Sequence, residues 1–183
     1  ANMLHRTKIR ELTVKLLKQN AEVVRLVGKN IKDSKANSFE ARGLPGINVV
    51  TPRQNGTGRS LSIFSTETTL TLNVEIYVHT MDGYQRKADE IAEAVENALL
   101  CNPEFQALTS QLQAYDVENS IYDQGAKPIV VQILSFTLKF NEQWLVKVED
   151  ELKTVGIDVD VIDPIADPAL GPDERIEFHL EIE

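Results

Sequence analysis

The sequence predicts an α+β fold: a mixed, mainly antiparallel β-sheet flanked by two principal helices, with an acidic C-terminal β extension. Three observations lead to this prediction. Residues 4–27 and 84–101 carry apolar side chains at helical spacing, residues 66–79 alternate apolar and polar side chains, and residues 111–140 contain two further strand-like segments. With 183 residues, 42% of them hydrophobic, the chain is long enough to bury a sizeable core.

The first predicted helix covers residues 4–27. Its apolar residues recur at steps of three and four, and lysines and arginines occupy the other face. We expect Asn20 to divide this segment into two pieces and Gly28 to end it. The polar, glycine-containing residues 29–43 are predicted to form a loop.

A short strand is predicted over residues 44–52, because prolines mark both of its ends. Residues 53–60 contain Gly56 and Gly58 and are interpreted as a flexible loop. The two glycines lack the spacing of a nucleotide-binding motif. Residues 61–64 are interpreted as a small strand.

Residues 66–79 give the clearest strand signal and residues 84–101 the clearest helix signal. In the strand, every second residue from Leu70 to Val78 is apolar. The helix has an apolar stripe and is expected to stop before Pro103. The predicted core, where sheet meets helix, contains Val74, Ile76, Val95, Leu99 and Ile133.

Two further strands are predicted over residues 111–122 and 128–140. Gly125 in their short connection favours a hairpin. The second strand is apolar on both faces, which indicates a central position in the sheet.

The chain is predicted to divide into a core of residues 1–141 and an acidic extension of residues 142–183. Prolines punctuate the extension, and alternating residues near its end predict a final strand. We expect this strand to pair with residues 155–161 as an extra hairpin, because an unpaired strand is an aggregation hazard. Pairing with the core sheet or a neighbouring subunit is the alternative.

Charge is distributed unevenly along the chain. Residues 1–59 carry 12 Lys and Arg against 4 Asp and Glu, residues 60–141 carry 4 against 11, and residues 142–183 carry 3 against 13. The total is a net charge of −9. A basic first third and an acidic last third suit head-to-tail self-association or a basic surface facing an acidic partner, although a solvated surface explains the same pattern.

No residue pattern indicates catalysis or a bound cofactor. His5, His79 and His179 are far apart in sequence and are interpreted as surface or strand-end residues. Cys101 ends an amphipathic helix and is expected to be a buried structural thiol. The acidic run between residues 158 and 173 lacks the spacing of a calcium-binding loop. The residues alone favour a binding or structural protein that needs neither metal nor cofactor.

Membrane insertion and secretion are not expected. No run approaches the roughly 18 apolar residues that a transmembrane helix needs, and residues 1–10 contain no apolar leader segment. A single cysteine cannot form an internal disulfide, so a reducing cytosolic compartment fits the composition best.

The order of elements along the chain resembles a known family. After the first helix comes the motif of residues 39–52, Phe-Glu-Ala-Arg-Gly-Leu-Pro-Gly-Ile-Asn-Val-Val-Thr-Pro, then the strand of residues 69–78, the helix of residues 88–99 and the two strands of residues 111–140. This combination resembles the tail terminator proteins of tailed bacteriophages, also called tail-completion or minor tail proteins. The resemblance covers roughly residues 1–141, and the acidic extension is an addition to the family core.

The resemblance implies a structural virion protein, made in the host cytoplasm, rather than an enzyme. Family members form a hexameric ring that caps the finished tail tube, ends its polymerisation and offers a surface for head–tail joining, while DNA passes through the channel without sequence-specific binding. The implied partners are other copies of the chain, the tail tube protein, and the sheath and head-side connector or neck proteins. Another head–tail connector or neck protein of the virion is the alternative, and an enzyme with an unrecognised site is a more distant one.

Two sets of residues are candidates for these contacts. An acidic channel lining would repel the phosphate backbone of DNA, and the acidic face of the helix at 84–101 could supply it, unless that face is simply solvated. The candidate lining residues are Asp89, Glu90, Glu93 and Glu96. The apolar face of the final strand is a candidate partner-binding arm, made of Ile176, Phe178, Leu180 and Ile182.

Overall fold

The computed structural model describes residues 4–36, 39, 43–58, 64–79, 83–122 and 128–144. The predicted C-terminal hairpin, with Ile176, Phe178, Leu180 and Ile182, lies outside the described residues. The elements, in chain order, are α1 (His5–Gln19), α2 (Ala21–Val27), β1 (Ile31–Asp33), β2 (Gly46–Gly58), β3 (Phe64–His79), α3 (Tyr84–Leu100), α4 (Pro103–Leu108), β4 (Gln111–Tyr122) and β5 (Ile129–Trp144).

The five strands form one mixed, mostly antiparallel sheet in the order β1-β2-β3-β5-β4. β1 runs parallel to β2, and the other three pairs are antiparallel. The predicted α+β fold class is therefore confirmed, as are the β4–β5 hairpin and the central position of β5. The two ends of this order, β1 and β4, are the edges of the sheet.

The helices cover one face of the sheet, with α1 over β1 and β2, and α3 over β3 and β5. We call this the helix face and the other the open face. The alternation in β3 sends Leu70, Leu72, Val74, Ile76 and Val78 to the helix face, where each is at most 1% exposed. Val95 and Leu99 of α3 meet them there and are fully buried.

Ile133, which we expected in this core, is not part of it. Successive residues of a strand point to opposite faces, and in β5 the residues facing the helices are Leu134, Phe136 and Leu138. Ile133 therefore lies on the open face and is only partly buried.

The predicted division of the first helix at Asn20 is confirmed. The Asn20 side chain accepts hydrogen bonds from the backbone N–H groups of Glu22 and Val23, both at 3.0 Å, which makes it the N-cap of α2. Gly28 ends α2 with a φ of 68°, a left-handed conformation that suits glycine.

Two local predictions were wrong. The predicted loop at 29–43 contains the short strand β1, which at three residues is too short to show a period. Residues 53–58, predicted as a loop, continue β2, and Pro52 lies at a bulge on the unpaired side of that strand. The helix α3 ends before Pro103, as predicted. Pro103 then begins α4, where the Asn102 side chain caps the backbone of Glu104 and Phe105.

Two further differences concern chain segments near the ends of elements. Cys101 is exposed rather than buried, because it lies just beyond the last residue of α3 and no longer follows the apolar stripe. β5 continues past the predicted strand, and its residues 142–144 pair with the first residues of β3.

The motif at 39–52 has a clear packing role. Phe39 is 4% exposed, and its ring centroid lies 5.1 Å from that of Tyr77 on β3. A Cβ atom added to Gly46 would lie 2.7 Å from the Phe39 ring, so only glycine leaves room for the ring at this point. Asn48, buried in the same region, accepts from the Lys35 backbone N–H at 2.8 Å and donates to Glu75 at 2.9 Å.

Candidate interaction surfaces

The predicted acidic residues of α3 contact different neighbours of the helix. Asp89 accepts a hydrogen bond from the buried Gln132 of β5 at 2.9 Å. Glu96 accepts one from the Tyr115 hydroxyl on β4 at 2.5 Å. Glu90 pairs with Arg25 of α2 at 3.1 Å, whereas Glu93 is exposed. Three of the four carboxylates therefore hold α3 against its neighbours as well as giving this surface its negative charge.

The local electrostatics agree with these contacts. Burial, together with the hydrogen bond to Glu96 and the charge of that residue, raises the pKa of Tyr115 well above its usual value of 10.0. Hydrogen bonding to Arg25 lowers the pKa of Glu22, and the same contact together with Glu90 raises the pKa of Arg25. Tyr115 therefore keeps its proton and acts as a donor to α3 over the whole neutral range.

β4 exposes apolar side chains on the helix face, beyond the cover that α3 provides. Register with β5 sends Leu112, Val117 and Ile121 to this face, opposite Leu138, Leu134 and Val130. Their exposed fractions are 41%, 48% and 61%. This row is called the β4 stripe, and it leaves an apolar strip open at the edge of the sheet.

On the open face, the side chains of β4 are acidic rather than apolar. Asp116 and Glu118 lie there, paired in register with Ser135 and Ile133, and both are exposed. The strand contains no lysine, arginine or proline. The β4 edge is therefore acidic on one face and apolar on the other.

The β1 edge, at the other end of the sheet, is basic. Lys29 and Lys32 are exposed there, and Lys32 points to the open face because its register partner is Asn48. Arg10 of α1 lies above this edge and pairs with Asp33 at 2.6 Å. Arg6, one turn earlier, is exposed. The two edges of one sheet thus carry charges of opposite sign.

The other candidate residues do not converge on a common site. His5, the first residue of α1, hydrogen-bonds the Leu108 carbonyl at 2.7 Å, and its ring lies against that of Phe140 of β5 with the ring planes tilted by 33°. His79 ends β3 and pairs in register with Ile129, at the opposite end of β5. His5 is therefore half-buried in a helix contact, whereas His79 is a strand-end residue as expected. His179 and the acidic run at 158–173 lie outside the described residues.

Two features are absent among the described residues. No group of three or more His, Cys, Asp or Glu side chains among them is arranged to hold a metal ion. No helix in the described ranges is long and apolar enough to span a membrane.

The apolar edge was missing from the sequence-based candidates. Its signal was present, because Tyr115, Val117 and Ile121 occupy alternate positions of a segment that lacks lysine, arginine and proline. What the sequence does not reveal is that this strand lies at an edge with the helix layer ending before it.

This chain is similar to chains of known structure. The chain is similar to a chain from the virion of a native gene transfer agent particle, with a TM-score of 0.42 and 13% sequence identity over 70% of this chain and 92% of the other. No protein-family model and no curated protein matches the sequence. A score this low does not establish a common fold, so the function of the chain has to be inferred from its own residues.

Proposed function

We propose that the protein is a structural component of a phage-like virion that caps the tail tube as a ring, ends tail polymerisation and provides a surface for head–tail joining. The observation that carries this proposal is the pair of oppositely charged sheet edges. A closed ring needs a heterologous interface, in which one surface of a subunit meets a different surface of the next. A sheet with an acidic edge and a basic edge offers two such surfaces.

The ordered sequence resemblance to tail terminators supplies the biological setting of the proposal. In that setting the ring, a hexamer by the resemblance, surrounds a channel through which DNA passes. An acidic lining would keep the phosphate backbone from adhering. Asp89, Glu90, Glu93 and Glu96 remain our candidates for this lining, and their contacts with Gln132, Arg25 and Tyr115 would hold the carboxylates in place.

The direct test is a polymerisation assay with the tail tube protein of the same virion. We expect tubes assembled with saturating amounts of this chain to stop at a defined length, with a ring visible at one end by negative-stain electron microscopy. Tubes that keep lengthening would rule out termination. Binding to the portal or its adaptor instead of the tube would favour the alternative neck function.

A further inference from the structure

We infer that the β4 edge of one subunit docks against the β1 edge of a second copy of this chain, so that sheet and helix layer continue from subunit to subunit. The inference rests on the proposed ring and names the two surfaces that would form its interface. Edge protection identifies β4 as the accepting strand, and apolar cover and charge support the β1 edge of a second copy as its occupant.

The backbone argument concerns protection of the strand edges. Natural edge strands are protected by being short, by lysine or proline, or by bulges. β1 is short and carries Lys32, and the outer side of β2 has Pro52 at a bulge. β4 has 12 residues without lysine, arginine or proline, and no described strand pairs with its outer side. Its one irregularity is a register shift near its start, between Leu112 and Ala114. β4 is therefore the edge that is best prepared to accept another chain.

The apolar argument concerns the β4 stripe. Leu112, Val117 and Ile121 extend the helix face of the sheet beyond the region that α3 covers. In a second copy, α1 lies over β1 and β2 on that same face. A subunit that presents its β1 edge to β4 therefore also brings a helix towards the stripe and extends the helix layer.

The charge argument identifies the occupant as a second copy of this chain. Asp116 and Glu118 of β4 lie on the open face, and Lys32 of β1 lies on the same face. In a continuous sheet these side chains approach one another across the junction, with Lys29 close by in sequence. Such complementarity favours encounter and correct register.

The same charges disfavour other occupants of the β4 edge. Residues 145–183 carry 12 acidic against 3 basic residues, so their charge does not complement that of Asp116 and Glu118. Nucleic acid would be repelled for the same reason. A basic surface is required, and the β1 edge of another copy supplies one.

Charge reversal on the full chain tests the inference. The double variant D116K/E118K makes the β4 edge basic, and K29E/K32E makes the β1 edge acidic. Each alone faces its own copies with like charges, so we expect self-association to weaken by at least about tenfold in sedimentation velocity. In an equimolar mixture of the two double variants, subunits that alternate around the ring face one another with opposite charges at every junction. A hexamer has an even number of subunits and allows this alternation, so the mixture should recover assembly.

Two measurements keep the test decisive. Glu104→Lys reverses an exposed glutamate on α4 that pairs with Lys15 of α1 and belongs to neither edge strand. This variant should associate like the wild type, and circular dichroism verifies that every variant is folded. Zero-length carboxyl–amine cross-linking of the wild-type chain, free and on tube ends, should join Lys29 or Lys32 of one copy to Asp116 or Glu118 of another, as located by mass spectrometry.

The outcomes separate this inference from the proposed function. Wild-type-like association of both double variants, failure of the mixture to recover assembly, or absence of the cross-link would overturn the interface, even if the wild type caps tubes. Recovery of assembly in the mixture together with the expected cross-link would support the interface. If the wild-type chain at the same time had no effect on tube length, tail termination would be refuted.

Discussion

The Tyr115 hydroxyl on β4 donates a hydrogen bond to the Glu96 carboxylate on α3 at 2.5 Å. Tyr115 also stacks on Phe136 of β5, with ring centroids 5.0 Å apart. One side chain thus ties the outermost strand of the sheet to both the helix layer and the neighbouring strand. This contact adds to the β4–β5 ladder in holding the β4 edge against the rest of the fold.

We expect Tyr115→Phe to lower the free energy of unfolding at neutral pH by about 1 kcal/mol, the usual net value of one hydrogen bond. The aromatic stacking is kept in this variant, so the loss reports the hydroxyl. Chemical denaturation measures it. Tyr122→Phe, on the same strand but 52% exposed, is the control and should leave stability at neutral pH unchanged.

Tyr115 should also affect how the free energy of unfolding falls at alkaline pH. Its pKa is raised in the folded state, chiefly by burial and then by Glu96, so the folded chain keeps a proton that the unfolded chain releases. The resulting stabilisation is complete below pH 10.0, the usual value, and is lost as pH rises from there through the folded pKa. Tyr115→Phe should therefore flatten the alkaline decline, and an unchanged slope would contradict this assignment.

The contact of Gly46 with Phe39 leads to a second prediction. Gly46→Ala places a methyl group within 3 Å of a buried ring, so the ring has to move away from Tyr77, and we expect a loss of roughly 1–3 kcal/mol in unfolding free energy. Gly58→Ala on the same strand meets nothing within 4 Å and is the matched control. Equal thermal midpoints for the two variants would show that Phe39 yields without cost.

Much of the fold was predictable from periodicity, and the exceptions have physical reasons. β3 and α3 are long and alternate or repeat cleanly, so their positions and their buried residues follow from the sequence. β1 has three residues, too few to show a period, and among the described strands it pairs with β2. Gly56 and Gly58 suggest a loop locally, yet pairing with β3 keeps them in a strand.

The functional surfaces were less accessible to sequence analysis than the core. The acidic face of α3 follows from helical spacing, but its contacts with Gln132 and Tyr115 depend on which strands lie beneath the helix. The sign of the two sheet edges depends on strand order, which places β1 and β4 at opposite ends. Strand order is a tertiary property. The excess of basic residues in 1–59 indicated a basic region but not that it lies at one edge of the sheet.

The core offers a quantitative prediction. Ile76 and Leu99 are fully buried where β3 meets α3, and we expect Ile76→Ala and Leu99→Ala to cost about 2–5 kcal/mol each through lost burial and the cavity left behind. Leu4→Ala removes the same group as Leu99→Ala from a side chain that is 51% exposed, and should cost little. Urea titration of the three variants distinguishes these sites, and denaturation midpoints equal to that of the wild type would refute the packing.

The last prediction concerns the acidic C-terminal extension. The chain divides into two compact units, residues 1–145 and 146–183, and the described helices, strands and core residues belong to the first. We therefore expect deletion of residues 154–183 to leave a cooperatively folded core with the secondary structure of the full chain by circular dichroism. If the predicted final strand is the partner-binding arm for which it is a candidate, the truncated chain should attach less well to tubes or to a collar or sheath partner. Replacing Ile176 and Leu180 by Thr in the full chain removes apolar surface while keeping strand propensity, and should weaken attachment in the same way. Unfolding of the truncated chain would instead mean that the extension belongs to the core.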